Sequence, residues 1–435
     1  MGIKELNGFL IRNIKDKGKK GIRSIHLSKY RNKCLAIDVS IFLYRILYRQ
    51  KDKHIEGFLN LISKLKNFDI DLIFIFDGRP PKEKKNVLDN RRKNRNKIKH
   101  KIAIIQDKLD RLDKMEELDI TDSSKNINNN IDLTESFSST ESDTLISSFE
   151  LQIPESREEL QSVMKKLNKK CVSIKKKHIT DLKELFDLCD IKYIHSNQEA
   201  DKICAHLVII GKAHACVSND MDLLPFGCTK LLRDFNFNNN FVTEYNLPTI
   251  CNSLHMNYNK FVDFCIMCGC DYNEKIIGLK PQRNYYYLNK YGTIENVIKH
   301  MESINCNETH RVRISKRFDY VRSRHLFLEP LSSSDYTIHN DNINNKWRRS
   351  LRSSSDSDSD WIIIDGICSP KYEQNKFFPI ENNVIENNVI TSEYEQVNEL
   401  NNEYPSYYSV ANYVRCQCPT MHEKKIKSKL RWLRV

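Results

Sequence analysis

Seven carboxylates stand mainly at the ends of apolar, β-like runs: Asp38, Asp77, Glu199, Asp201, Asp220, Asp222 and Asp271. So many acids cannot share a crevice as bare anions, because like charges a few ångströms apart draw in protons or cations. Oxygen-only donors select hard cations, magnesium or manganese, whereas a zinc site asks for His or Cys at defined spacing. Two such ions, roughly 3.5 to 4 Å apart, suit in-line attack of water on a phosphodiester. Taken singly, each acid reads as an ordinary strand-end or N-cap residue. Only the whole set points to a metal centre.

The elements that must position these acids are legible as an α/β pattern. Cys34-Leu-Ala-Ile-Asp38 and Asp71-Leu-Ile-Phe-Ile-Phe-Asp77 are short and almost wholly apolar, as strands buried on both faces of a parallel sheet must be. A third strand near Ala215-Cys-Val-Ser218 runs into Asn219-Asp220-Met221-Asp222, and a helical stretch carries Glu199-Ala200-Asp201. Acids at the carboxyl ends of such strands converge on one crevice. The expected architecture is a mainly parallel central sheet flanked by helices.

Between Asp77 and Glu199 the pattern changes. Lys82 to Lys101 is densely basic, with Lys84, Lys85, Arg91, Arg92, Lys93 and Arg95. Ile98, Ile102, Ile105, Leu109 and Leu112 then repeat at helical spacing, and Leu160, Val163, Leu167, Cys171, Ile174 and His178 repeat similarly. Two basic amphipathic helices are expected. Further on, the apolar stretch Phe261 to Met267, the turn Gly278-Leu-Lys-Pro281 and a helix starting near Pro281 predict helix-turn-helix geometry, Pro being suited to a first helical turn. Backbone groups at such a helix start can hold phosphate.

Composition agrees with a nucleic-acid partner. The 435 residues carry a formal net charge of +13, with a pI near 9.0, which favours a phosphate backbone without specifying one. The basic first twenty residues contain no secretory apolar core, and no apolar run approaches the roughly 20 residues of a membrane span. The 14 cysteines are scattered singly. That fits a reducing, intracellular compartment. Cys265-Ile-Met-Cys268-Gly-Cys270 and Cys416-Gln-Cys418 lack the paired spacing of a zinc site, and the first set is expected inside the helix that delivers Asp271. Residues 119 to 157 are polar, acidic and poor in aromatics, a composition that buries too little surface to order itself.

These segments, in this order, resemble the flap endonuclease family, the structure-specific 5′ nucleases related to Rad2 and XPG. The resemblance covers roughly residues 1 to 300. It rests on Met1-Gly2-Ile3, Ala36-Ile-Asp38 with Tyr44, Ile75-Phe-Asp77-Gly78-Arg79-Pro80-Pro81-Lys82 and Glu199-Ala-Asp201. It continues through Leu207-Val-Ile-Ile-Gly211-Lys212, Asn219-Asp220-Met221-Asp222 with Phe226-Gly227, Gly269-Cys270-Asp271-Tyr272 and Gly278-Leu-Lys-Pro281-Gln-Arg283. Asp201 stands where the family usually has Glu, and Lys280 replaces the second glycine of a Gly-x-Gly-Pro turn. The divergent tail and the Asn, Ile and Lys bias are similar to flap-endonuclease-like proteins of large DNA viruses.

The resemblance implies a PIN-like nuclease core, a helical arch and a helix-turn-helix that grips duplex DNA. It implies two Mg2+ ions, replaceable by Mn2+, and a monovalent cation at the helix-turn-helix. By the same resemblance Asp77, Glu199 and Asp201 hold one ion, Asp220 and Asp222 the other, and Asp38 and Asp271 act through bound water. Lys84 and Arg91 fall at the positions that reach the scissile phosphate, while Gly2, Gly278, Lys280 and Arg283 fall beside DNA.

The expected organisation is a nuclease region at 1–112, an acidic insertion at 113–159, a second nuclease region at 160–330, a Ser/Asp/Asn-rich linker at 331–360 and an appendage at 361–435. Flapped or branched DNA is the expected substrate of a monomer, with a polymerase or processivity factor as partner. A 5′ exonuclease, a junction resolvase and a catalytically weak branched-DNA-binding protein are the alternatives.

Overall fold

The computed structural model describes residues 2–15, 18–121, 156–236, 238–305, 312–331, 335–339, 361–364, 367–370 and 407–433. Among the described residues the larger sheet has eight strands, β1 (Ile22–His26), β2 (Cys34–Asp38), β3 (Asp71–Phe76), β4 (Lys192–Ser196), β5 (Ala215–Val217), β6 (Lys230–Arg233), β7 (Phe241–Asn246) and β8 (Tyr336–His339). They form one sheet in the order β1-β7-β6-β5-β2-β3-β4-β8. The central pairs β6–β5, β5–β2, β2–β3 and β3–β4 are parallel, and antiparallel pairings add β7 and β1 at one edge and β8 at the other.

Apolar runs at the centre of the sheet are apolar for a reason. All of β2 is buried, because helices cover both faces of a parallel sheet. Val39–Arg49 and His54–Lys66 connect β2 to β3, and Lys176–Leu188 precedes β4. Phe186 of that last helix stacks on Phe74 of β3 with ring centroids 4.3 Å apart. The expected mainly parallel α/β core is therefore present.

The chain divides into two compact units. The first comprises residues 1–42, 55–81 and 176–435, and the second comprises residues 43–54 and 82–175. Within the second, one long helix, Lys85–Thr121, runs beside Arg157–Lys170. Ile105, Leu109 and Leu160 are buried between them, with Leu112, Val163, Met164 and Leu167 packed around.

Here one expectation is corrected. The repeat from Leu160 to His178 is not one helix: the first helix ends at Lys170 with Cys171 as its cap, and His178 is buried in the following helix, Lys176–Leu188. The apolar spacing happens to stay in phase across the break, so periodicity alone joined two elements. Residues 122–155, most of the acidic insertion, lie outside the described residues.

In the first unit, Tyr258–Cys268 and Pro281–Tyr291 form the helix pair expected around Asp271, with Pro281 in the first turn. Arg324 donates to both oxygens of Asp263, at 2.8 and 2.9 Å, and to Glu295, which ties Tyr320–Leu328 to this pair. Strand β8 falls in the stretch read as a linker. The terminal helices Tyr407–Gln417 and Glu423–Lys429 pack on the core, Tyr413 donating to the carbonyl of Asp181 at 2.7 Å.

Candidate metal centre and nucleic-acid interface

Parallel pairing brings the acids together from distant parts of the chain. Asp38 closes β2 opposite Ile75 of β3, one residue pair after Ile37 faces Val217 of β5. Asp77 therefore follows β3 on one side of Asp38, and Ser218 follows β5 on the other. The Ser218 hydroxyl accepts from the Asp220 amide at 3.1 Å and donates to Asp38 Oδ2 at 3.5 Å. Asp220 Oδ1 accepts from the Asp222 amide at 3.1 Å, so the turn after β5 is built around its own acids.

Asp77 and the Glu199–Asp201 segment are locked to each other by backbone. The amides of Gly78 and Arg79 donate to the carbonyls of Gln198 and Asn197 at 2.7 and 3.2 Å. Asp77 Oδ1 accepts from the Ala200 amide at 2.9 Å, at the start of the helix Ala200–Ile209. A Cβ at Gly78 would stand 2.1 Å from the Ser196 carbonyl oxygen, so this approach requires glycine.

Electrostatics confirm that the acids share one field. Burial and the neighbouring charges of Asp77 and Asp220 raise the Asp38 carboxyl well above its ordinary range. Burial and the charges of Asp220, Asp38 and Asp77 do the same for Asp201. Asp38, Glu199, Asp220 and Asp222 are buried, and Asp77 is exposed. The buried Cys270 thiol lies in the fields of Asp222 and Asp271.

Among the described residues, no three His, Cys, Asp or Glu side chains are gathered tightly enough to hold a bare ion. The donor set nevertheless fits a hydrated hard cation. It consists of carboxylate oxygens, and Asp201 Oδ1 is buried with no hydrogen-bond partner. Magnesium keeps several waters and needs few direct carboxylates, so acids spaced for water-mediated contact suit it.

Two side chains that bond to the acids were not singled out in the sequence. Tyr272, half-buried between Phe226 and Phe327, donates to Glu199 Oε2 at 2.5 Å. Ser218 bridges Asp38 and Asp220 as described. Adjacency to Asp271 and to Asp220 was the signal that could have found them.

The N-terminal segment reaches the same place. The Lys4 amide donates to the Gly269 carbonyl at 3.1 Å. A Cβ at Gly2 would lie 2.0 Å from Asp220 Oδ1 and 2.6 Å from Asp222 Oδ1, and Gly2 also has φ of +77°. Position 2 therefore has no room for a side chain beside the acids.

The remaining expected residues fall in two groups. Gly278, Lys280 and Arg283 are exposed at the start of Pro281–Tyr291, where the Lys280 carbonyl accepts from the Arg283 and Asn284 amides. Gly278 has φ of +88°, which suits glycine at this turn. Lys84 and Arg91 belong to the second unit: Lys84 ends the turn Lys82–Lys84, and exposed Arg91 lies on the helix that follows. Of the neighbouring tyrosines, Tyr285 packs against Phe9 and Phe264 and donates to the Leu254 carbonyl, whereas Tyr286 is exposed. The Cys265, Cys268 and Cys270 thiols are buried and free, inside and just beyond the helix leading to Asp271.

The XPG N-terminal domain matches residues 1–98, and the XPG I-region matches residues 190–271. The chain is 28% identical over 357 residues to Flap endonuclease 1 of Entamoeba histolytica, covering 78% of this chain and 79% of that protein. To Flap endonuclease 1 of Drosophila yakuba it is 25% identical over 350 residues, covering 77% and 75% respectively. In fold it is similar to the catalytic core of Rad2 in complex with DNA substrate, with a TM-score of 0.57, 16% identity, and coverage of 99% of this chain and 100% of that one. Sequence shared along most of the chain and a shared nuclease fold lead to the same conclusion: the chain belongs to the flap endonuclease family, the XPG-type nucleases, and is a metal-dependent DNA endonuclease, a phosphodiester hydrolase.

Proposed function

We propose that this protein is a magnesium-dependent, structure-specific 5′ flap endonuclease acting on branched DNA in replication, repair or recombination. The observation that carries the reading is the convergence of Asp38, Asp77, Asp201 and Asp220, delivered by three parallel strands and one helix start. Flap endonuclease 1 of several organisms shares the surrounding sequence.

Asp77, Glu199 and Asp201 would hold one Mg2+ ion and Asp220 and Asp222 the other, with Asp38 and Asp271 contributing through water and Mn2+ able to substitute. When bound, the ions supply Lewis-acid stabilisation of the attacking and leaving oxygens of an in-line displacement. The chain's own residues hold the geometry. Ser218 fixes Asp38 against the Asp220 turn, the Ala200 amide orients Asp77, and Tyr272 orients Glu199. Gly2 leaves the acids open to close backbone approach. Lys84 and Arg91 neutralise charge developing on the scissile phosphate, and Gly278, Lys280 and Arg283 hold duplex phosphates, with a monovalent cation at that turn.

Cleavage of a labelled 5′ flap with magnesium and with EDTA tests the reading. A flap endonuclease cuts near the branch only with magnesium. Product that shortens one nucleotide at a time would indicate an exonuclease, and substrate intact in both conditions would indicate a binding protein.

A further inference from the structure

The loop that leads into Glu199 is gripped from two sides. On one side the carbonyls of Asn197 and Gln198 accept from the amides that follow Asp77. On the other side stands Asp335, at the entry to β8. Its carbonyl accepts from the Asn197 amide at 3.2 Å, and its Oδ1 accepts from Gln198 Nε2 at 3.3 Å. The antiparallel pairing of Ser196 with Tyr336 carries this contact into the sheet.

Lys202 completes the grip. It follows Asp201 on the helix Ala200–Ile209 and is only 8% exposed, whereas lysine is almost never buried unless its ammonium is paired. Lys202 Nζ donates to Glu329 Oε2 at 3.3 Å and lies 3.5 Å from Gln198 Oε1. The Gln198 amide is thus held at both ends, its oxygen by Lys202 and its nitrogen by Asp335. Glu329 caps the helix Tyr320–Leu328, whose Phe327 ring lies 5.4 Å from that of Tyr272 and 5.0 Å from that of Phe226. Tyr272 in turn donates to Glu199. One later stretch of chain therefore braces Glu199 through two separate contacts.

We propose that Lys202 is a positioning residue for the metal centre, acting through Gln198 on the Glu199–Asp201 segment, with Glu329 as its anchor. The inference rests on the reading of the acids as metal ligands given above. Successive side chains on a helix diverge by about 100°, so Lys202 faces Gln198 and Glu329 while Asp201 faces the other acids. What Lys202 fixes is backbone. The Gln198 carbonyl holds the Gly78 amide at 2.7 Å, one residue past Asp77, and Gln198 itself directly precedes Glu199. Loosening Gln198 slackens both flanks of the site formed by Asp77, Glu199 and Asp201, and groups that orient metal ligands tune affinity even though they never touch the ion.

The test titrates the full chain with Mn2+ in the absence of DNA, by calorimetry, and records the melting midpoint of each variant without metal. Lys202→Met and Gln198→Ala should each weaken Mn2+ binding by about fivefold, below the roughly 10- to 100-fold typical of groups bonded directly to a ligand. Their melting midpoints should move by less than about 4 °C. The double variant should bind no more weakly than Gln198→Ala alone, because residues that act in one chain of contacts are not additive. If Lys202→Met folds poorly, Glu329→Gln takes its place in the cycle, since it unseats the ammonium without altering the buried position. Unchanged Mn2+ affinity in the single variants overturns the proposal. So do losses that multiply in the double variant or that appear only alongside a fallen melting midpoint. A wild type that binds no Mn2+ overturns the reading of the acids as well, which tells the two failures apart.

Discussion

The first unit gathers negative charge in its interior, whereas the second spreads positive charge over its surface. Asp38 and Asp222 are 3% and 2% exposed. Arg91, Arg92, Lys93 and Arg95 are all exposed along one helix. The acids are fixed by strand register and by bonds from Ser218, Ala200 and Tyr272. The basic helix is steadied by a small apolar seam at Ile105, Leu109 and Leu160. Buried like charges demand rigid support and counterions, but solvated charges on a helix can be numerous at little cost. The difference teaches that one region confines its charge within a rigid frame and the other displays it to solvent.

The largest effect is expected at the acids. Replacing Asp220 or Asp77 with Ala should lower single-turnover flap cleavage by about a thousandfold or more, since metal stabilisation is worth several kcal/mol. DNA binding measured in calcium should persist or improve, because local negative charge falls. Near wild-type cleavage by Asp220→Ala would falsify the assignment of this turn to metal binding.

Lys84 and Arg91 come next. If both meet the scissile phosphate as charge develops, Ala at either should lower the single-turnover rate by about two to three orders of magnitude. Affinity should weaken far less, as the other basic residues sustain attraction to the backbone. Lys101→Ala, further along the same helix, is the control and should leave chemistry almost unchanged. Loss of affinity alone, matched by Lys101→Ala, would reduce the helix to a generic basic surface.

Tyr272→Phe probes the support of the acids without removing one. Losing the bond to Glu199 should raise the magnesium concentration for half-maximal cleavage by about tenfold, with the rate at saturating magnesium largely restored. A rate deficit that magnesium cannot rescue would mean that Tyr272 does something other than orient Glu199.

The smallest effect is expected from deleting residues 122–150. Their polar, acidic composition offers no face for a core, so the melting midpoint should move by less than about 4 °C, under roughly 1 kcal/mol, and cleavage should survive. A larger fall, read by calorimetry, would show that the segment contributes packing.

Legibility in the sequence followed burial and regular spacing. Asp38, Asp77 and Asp220 were readable because each follows an apolar strand, and the strand's burial dictates its composition. The edge strand β8 was not, since Tyr336–His339 is half exposed and sits in polar surroundings that read as a linker. Helical spacing found the apolar seam around Ile105 and Leu160, yet it ran through the break at Cys171, where no Gly or Pro marks the stop. Tyr272 and Ser218 act through partners far away in sequence, and only the folded chain reveals such a contact.

The place of the basic helices in the sequence, between two paired strands, has a kinetic meaning. Everything from Lys82 to Lys175 lies between β3 and β4, two strands that pair directly. That pairing closes a long loop, so parallel strand contacts of this kind form slowly. The entropy of closing a loop grows only logarithmically with its length, about 0.6 kcal/mol for each doubling. Insertions between these strands can therefore lengthen at little thermodynamic cost. Asp77 and the Ala200 amide come together only when that loop closes, so a nascent chain carries no finished centre until the whole intervening region has been synthesised.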